Sequence, residues 1–138
     1  MLPIFLLALY IKFDILGTIS VEFQINFYKN SSGKSPVEEF FLELAKGNRV
    51  LVARAHAGIK KLRLRVYHRE PLSKHIESGL WELRIKAGND ILRIFYTFAK
   101  DQIIILLHGF VKKQQKTPGS ELEVARRRLR ELKEREKL

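Results

Sequence analysis

The chain has no cysteine, one tryptophan and one methionine. Without thiols there is no disulfide framework, no thiolate nucleophile and no cysteine-ligated metal. A reducing cytoplasm is the expected location. HExxH, EF-hand, Walker and dinucleotide-binding patterns are also missing, so neither a metal nor a cofactor is expected. No internal repeat or low-complexity linker divides the 138 residues, which suffice for one domain with one modest core. Acidic residues are scarce beside basic ones: 15 Asp and Glu against 26 Lys and Arg, for a net charge of +11. So large a surplus in so small a chain points to a polyanionic partner, with nucleic acid the default.

A long uninterrupted apolar run is missing as well. The nearest approach is "MLPIFLLALYIKFDILGTIS" at the start, which Lys12 and Asp14 interrupt. It has neither the basic leading segment nor the small-residue cleavage site of a signal peptide. No stable membrane association is expected. A regular strand pattern begins only at Val21, where Val21, Phe23, Ile25 and Phe27 alternate with polar neighbours. Valine is also how a GTG start codon would read. The expected division is therefore an upstream extension at 1–20, a working domain at 21–120 and a charged helix at 121–138. A weak signal anchor at 1–20 is the alternative.

The rest of the chain carries a small α+β pattern. Ser35 and Pro36 predict a capped helix with Val37, Phe40, Phe41 and Leu44 on one face. Gly47-Asn48 breaks it. A second, basic helix is predicted over 49–66, with apolar contacts from Val50, Leu51, Ala53, Ala57, Leu62 and Leu64. The two form a hairpin able to lie on a sheet. "HREPLSKHIESG" reads as loop. Three strands come next, "LWELRIK", "ILRIFYTF" and "QIIILLHGF", the last apolar on both faces as an inner strand would be. The order is β-α-α-β-β-β-α on a mainly antiparallel sheet. The last helix has a thin apolar stripe at Leu122, Ala125, Leu129 and Leu132.

The "AGND" turn fixes one register. It places Lys86 opposite Ile91 and Arg84 opposite Arg93, on the face away from Leu83, Ile85, Leu92 and Ile94. Like charges in a cross-strand pair are destabilising. A bound anion would relieve them, because guanidinium forks grip phosphate oxygens in pairs; Glu82 nearby is the plainer remedy. The last strand is less determined. A turn on Ala99–Asp101 sets Arg93 against Leu107, and a turn on Lys100-Asp101 sets it against His108. A one-residue slip turns every side chain over, so whether His108 faces the arginines stays open. Lys112 and Lys113 lie beyond the apolar run, and at least one must project at the strand's exit.

"LWELRI", "LRIFY" and "LLHGFVKKQQKTP", with the helix after them, resemble the phage-derived Gp49-like, HigB-type toxins of the RelE/ParE superfamily. The resemblance spans about 21–127. It implies a compact microbial-RNase-like fold, a twisted antiparallel sheet with a two-helix hairpin and a C-terminal helix. It implies a toxin of a type II toxin–antitoxin system that cleaves mRNA on the ribosome, silenced by a helix-turn-helix antitoxin. Arg84, Arg93, Lys112 and Lys113 then become the expected catalytic residues, with Lys74, Lys86, His108 and Lys116 gripping RNA. Some relatives use a tyrosine near the C-terminus; none follows Tyr96 here. The chemistry agrees with the residues. Cleavage by a 2′-hydroxyl needs a base, an acid and cations around the charged phosphorane. Arginines serve the last need, and a lysine crowded by other cations has the lowered pKa that acid–base work requires. A gyrase-poisoning ParE-like toxin and a non-catalytic nucleic-acid-binding protein are the alternatives. The run "RRRLRELKEREKL" offers a further surface for antitoxin or ribosomal RNA.

Overall fold

The computed structural model describes residues 11–13, 19–112 and 118–136. Strands β1 (Ile11–Phe13) and β2 (Ile19–Val21) pair as a small antiparallel ribbon. The division expected at residue 20 falls partly on 1–10 and 14–18, outside the described residues. The main sheet comes next in the chain: β3 (Gln24–Phe27), then α1 (Pro36–Ala45) and α2 (Arg49–Lys61), a short 3-10 turn at Arg65–Tyr67, β4 (Ser73–Glu77), β5 (Leu80–Ala87), β6 (Asp90–Ala99), β7 (Ile103–Lys112) and α3 (Gly119–Glu136). The five strands lie in the order β3-β7-β6-β5-β4.

Two layers of side chains hold the sheet. Val37 and Phe41 of α1 and Leu51, Ala55 and Ile59 of α2 pack on Leu83, Ile85, Leu92, Ile94 and Tyr96. On the other face Ala125, Leu129 and Leu132 of α3 cover Leu80, Phe95, Ile105 and Leu107. Strand β7 sends Ile104 and Leu106 into the first layer and Ile105 and Leu107 into the second. Its apolar run is that of an inner strand buried on both sides.

Several local expectations hold. Ser35 caps α1, accepting from the Glu38 N–H at 3.4 Å, with Pro36 at the first position. Arg84 pairs with Arg93 and Lys86 with Ile91 around a two-residue Gly88-Asn89 turn, and Gly88 supplies the positive φ that such a turn needs.

Others are corrected. The sheet is mixed, because β3 lies parallel to β7, with Ile25 beside Ile104. The strand begins at Gln24, three residues after Val21. "SKHIE", read as loop, is the edge strand β4. Its Lys74 and His75 are exposed, so no apolar alternation marks it. Helix α2 ends at Lys61, and its buried stripe is Leu51, Ala55, Ile59 and Leu62; Val50, Ala53 and Ala57 face outward. Neither register proposed for β7 occurs. Arg93 sits opposite Phe110. The turn is at Lys100–Gln102, where Asp101 and Gln102 take positive φ without a glycine to announce it. A bulge between Phe95 and Tyr96 then shifts the ladder by one more residue.

Candidate functional site

The register lays three rungs across one face of the sheet. The first carries Lys74, Glu82, Phe95 and His108, the second Arg84, Arg93 and Phe110, and the third Lys86, Ile91 and Lys112. Side chains two apart on a strand share a face. The β5 residues Glu82, Arg84 and Lys86 therefore stand beside Arg93 of β6 and Lys112 of β7. Helix α3 covers the Phe95 and Leu107 end of this face.

Glu82 organises the centre. Its side chain is only 2% exposed, against 31% for Arg84 and 10% for Arg93. Arg93 Nη1 donates to Glu82 Oε1 at 2.5 Å, and Arg84 Nε donates to the same oxygen at 3.2 Å. Arg84 Nη1 also lies 3.5 Å from Glu70 Oε1. Glu82 thus relieves the Arg84–Arg93 repulsion from the buried side, and Glu70 adds a second carboxylate to Arg84 from the exposed side. Arg93 Nε is buried and has no hydrogen-bond partner among the described residues. A buried cationic donor left unsatisfied is costly, and an anion at this point would complete it.

Lys112 belongs to the same field. Burial lowers its pKa first, then the charges of Arg93, Arg84 and Lys74, against the opposing pull of Glu82. Lys74 and Lys86 are exposed at the two ends of the cluster. Lys113 and Lys116 lie outside the described residues.

His108 shares the face but turns toward α3. Its Nε2 donates to Glu121 Oε2 at 2.6 Å, and its Nδ1 accepts from Arg128 Nη1 at 3.2 Å. That pattern requires the neutral ring. Burial lowers the pKa, with Glu121 opposing and Arg128 and Arg127 assisting. Tyr96 faces the opposite layer, hydrogen-bonded to Ser73 at 2.8 Å, and burial pushes its hydroxyl up to about 12.

The cluster opens into a cleft of about 780 Å³, with Arg84, Lys86 and Arg93 on one wall and Tyr67, Arg69 and Pro71 on the other. The sequence pattern hides this second wall, because "RLRVYHREP" looks like a helix end running into a loop. It also gives Glu82 a minor part; the signal is there, as an acid two residues before the arginine on the same face.

The sequence model of the family described as Phage derived protein Gp49-like (DUF891) matches residues 39–130, more than half the chain. The chain belongs to this Gp49-like family. The match runs from α1 through most of α3 and includes Lys74, Glu82, Arg84, Arg93, His108 and Lys112. No curated protein matches the chain. Membership in the Gp49-like family is compatible with a toxin of a toxin–antitoxin pair. No helix among the described residues is long and apolar enough to cross a membrane.

Proposed function

We propose that this Gp49-like protein is the toxin of a type II toxin–antitoxin system and cleaves mRNA on the ribosome. We read its architecture as the RelE-like, microbial-RNase-like fold, with an extension before Val21 and a charged helix after the toxin domain. The observation that carries the reading is the Glu82-centred cluster, with its buried and unsatisfied Arg93 Nε. A net charge of +11 supports it, since ribosomal and messenger RNA are the polyanions it would meet.

In the proposed reaction the 2′-oxygen attacks the adjacent phosphorus and the bond from phosphorus to the 5′-oxygen breaks. The products are a 2′,3′-cyclic phosphate and a 5′-hydroxyl end. Arg93 and Arg84 hold the phosphate and take up the charge of the phosphorane. Glu82 fixes both guanidinium groups in place. Lys112, with its lowered pKa, serves one of the two proton transfers, taking the proton from the 2′-hydroxyl or giving one to the leaving 5′-oxygen, and Lys113 or water serves the other. Lys113 is the second catalytic candidate by its place in the sequence, and Lys116, Lys74 and Lys86 are the candidates to grip flanking RNA; His108, expected among them, has both ring nitrogens engaged by Glu121 and Arg128. The antitoxin would be a helix-turn-helix protein.

Controlled induction in a bacterium tests this. Wild type should arrest growth and produce new ends within translated reading frames of a reporter mRNA. Arg93→Ala and Arg84→Ala should do neither at equal soluble protein. Arrest without new mRNA ends would reject the endonuclease and favour a gyrase-type target.

A further inference from the structure

We infer that the cleft beside the cluster is a nucleobase subsite, in which Tyr67 stacks on a base next to the bound phosphate. The inference rests on the RNA-cleaving reading and adds to it how the RNA is seated. It begins at a sheet edge. Strand β4 pairs with β5 only as far as Ser73 and Leu83. One more bond, from the Arg84 N–H to the Leu72 carbonyl at 2.8 Å, continues the ladder. Past it no strand among the described residues lies beside the edge of β5, and residues from Val66 to Leu72 line the cleft there.

Most of the lining is of two kinds. Tyr67, Val66, Leu72 and Ile91 are apolar or aromatic, whereas Arg69, Arg84 and Arg93 are cations; Glu70, an exposed acid 3.5 Å from Arg84 Nη1, also lines it. A ligand that suits both has a flat apolar part joined to an anion. A nucleotide of single-stranded RNA is such a ligand, and about 780 Å³ lies within the range of small-molecule sites. Val66, 57% exposed, leaves apolar surface facing water beside Tyr67.

The wall is also pre-organised. Tyr67 lies in the 3-10 turn, its N–H donating to the Leu64 carbonyl at 3.1 Å. The next residue, His68, pins that turn to the core. Its Nε2 donates to the Leu62 carbonyl at 2.6 Å, and its ring packs 4.7 Å from Phe23 and 5.1 Å from Phe98 between centroids. Lys61 Nζ sits over the Tyr67 ring, 5.6 Å from its centre, a cation–π contact that steadies the ring and covers one face, so the base stacks on the other face. Stacking tolerates every base, so the subsite seats a nucleotide without choosing one.

The test is fluorescence anisotropy of the full chain with a labelled single-stranded RNA hexamer, each 2′-hydroxyl methylated to block cleavage. A second series carries one abasic position at a time. Wild type should lose about tenfold in affinity at one abasic position. Tyr67→Ala should bind the intact hexamer about tenfold more weakly and lose that positional effect, with its thermal midpoint checking the fold. Tyr67→Phe should behave as wild type. An abasic series that is flat, or unchanged by Tyr67→Ala, would overturn the subsite, as would Tyr67→Phe failing like Tyr67→Ala. If Arg93→Ala still weakens binding in that event, the phosphate site stands without the base subsite. If Arg93→Ala has no effect, the RNA-cleaving reading falls and the subsite with it.

Discussion

Glu82 decides how the two arginines coexist. Removing one member of a buried charged group leaves the rest uncompensated. Glu82→Gln keeps the shape and removes the charge, and should cost about 1–3 kcal/mol of folding stability. Added phosphate should restore much of that loss by binding the Arg84 and Arg93 guanidinium groups, whose charge the amide no longer offsets, while stabilising wild type less. Equal thermal shifts with phosphate in the two proteins would contradict a shared anion point at Arg84 and Arg93. Lys112 gives a second prediction. Lowered by burial and by Arg93, it carries more neutral amine at a given pH than an ordinary lysine. Limited reductive methylation near pH 8, read by peptide mass mapping, should modify Lys112 ahead of exposed Lys60 and Lys100. Modification last of the three would argue against its acid–base role. The Arg84–Arg93 pairing was legible in the sequence because a two-residue turn fixes its own register. The carboxylate's grip on both was not, because reach between side chains depends on rotamers that no strand pattern specifies.

The elements divide by how much their burial shows in their composition. Helix α1, strands β5 and β6 and the stripe of α3 were readable, since each hides a periodic apolar face. Strand β4 was not, because an exposed edge strand needs no such face. The register of β7 was lost to two events that alternation cannot record: a turn with positive φ at Asp101 and Gln102, and a bulge beside Phe95. The 3-10 turn carrying Tyr67 was hidden for a related reason. A half-buried histidine holds it, and histidine is no turn signal. That histidine gives a prediction at this scale. Burial lowers the His68 pKa from its ordinary 6.5, and burial lowers that of His108 likewise. The unfolded chain therefore takes up protons near pH 6.5 that the folded chain refuses. Stability is full above that pH and falls as pH drops through it toward the folded values. The urea midpoint should be lower at pH 5.5 than at pH 7.5, and His68→Gln should flatten the slope. Equal midpoints in wild type would contradict a neutral ring at His68.

The whole molecule is a sheet with two unlike faces. One is closed by the α1–α2 hairpin. The other is half closed by α3, and the remaining half gathers Arg84, Arg93, Lys112, Lys74 and Lys86 around Glu82. Composition announced a basic protein with a polyanionic partner, but only the topology concentrates those charges beside a cleft. The proposed activity stands or falls on whether this cluster cleaves RNA, beyond binding it. To decide that, the purified chain is mixed with ribosomes stalled on a defined mRNA and both new ends are mapped, for wild type and Arg93→Ala. Wild type should leave a 5′-hydroxyl end and a 2′,3′-cyclic phosphate at one cut in the ribosome-bound mRNA. Arg93→Ala should cut at a rate at least about a hundredfold lower, with ribosome binding largely kept. Equal cutting by the two proteins, or none by wild type while it binds the ribosome, would contradict the assignment.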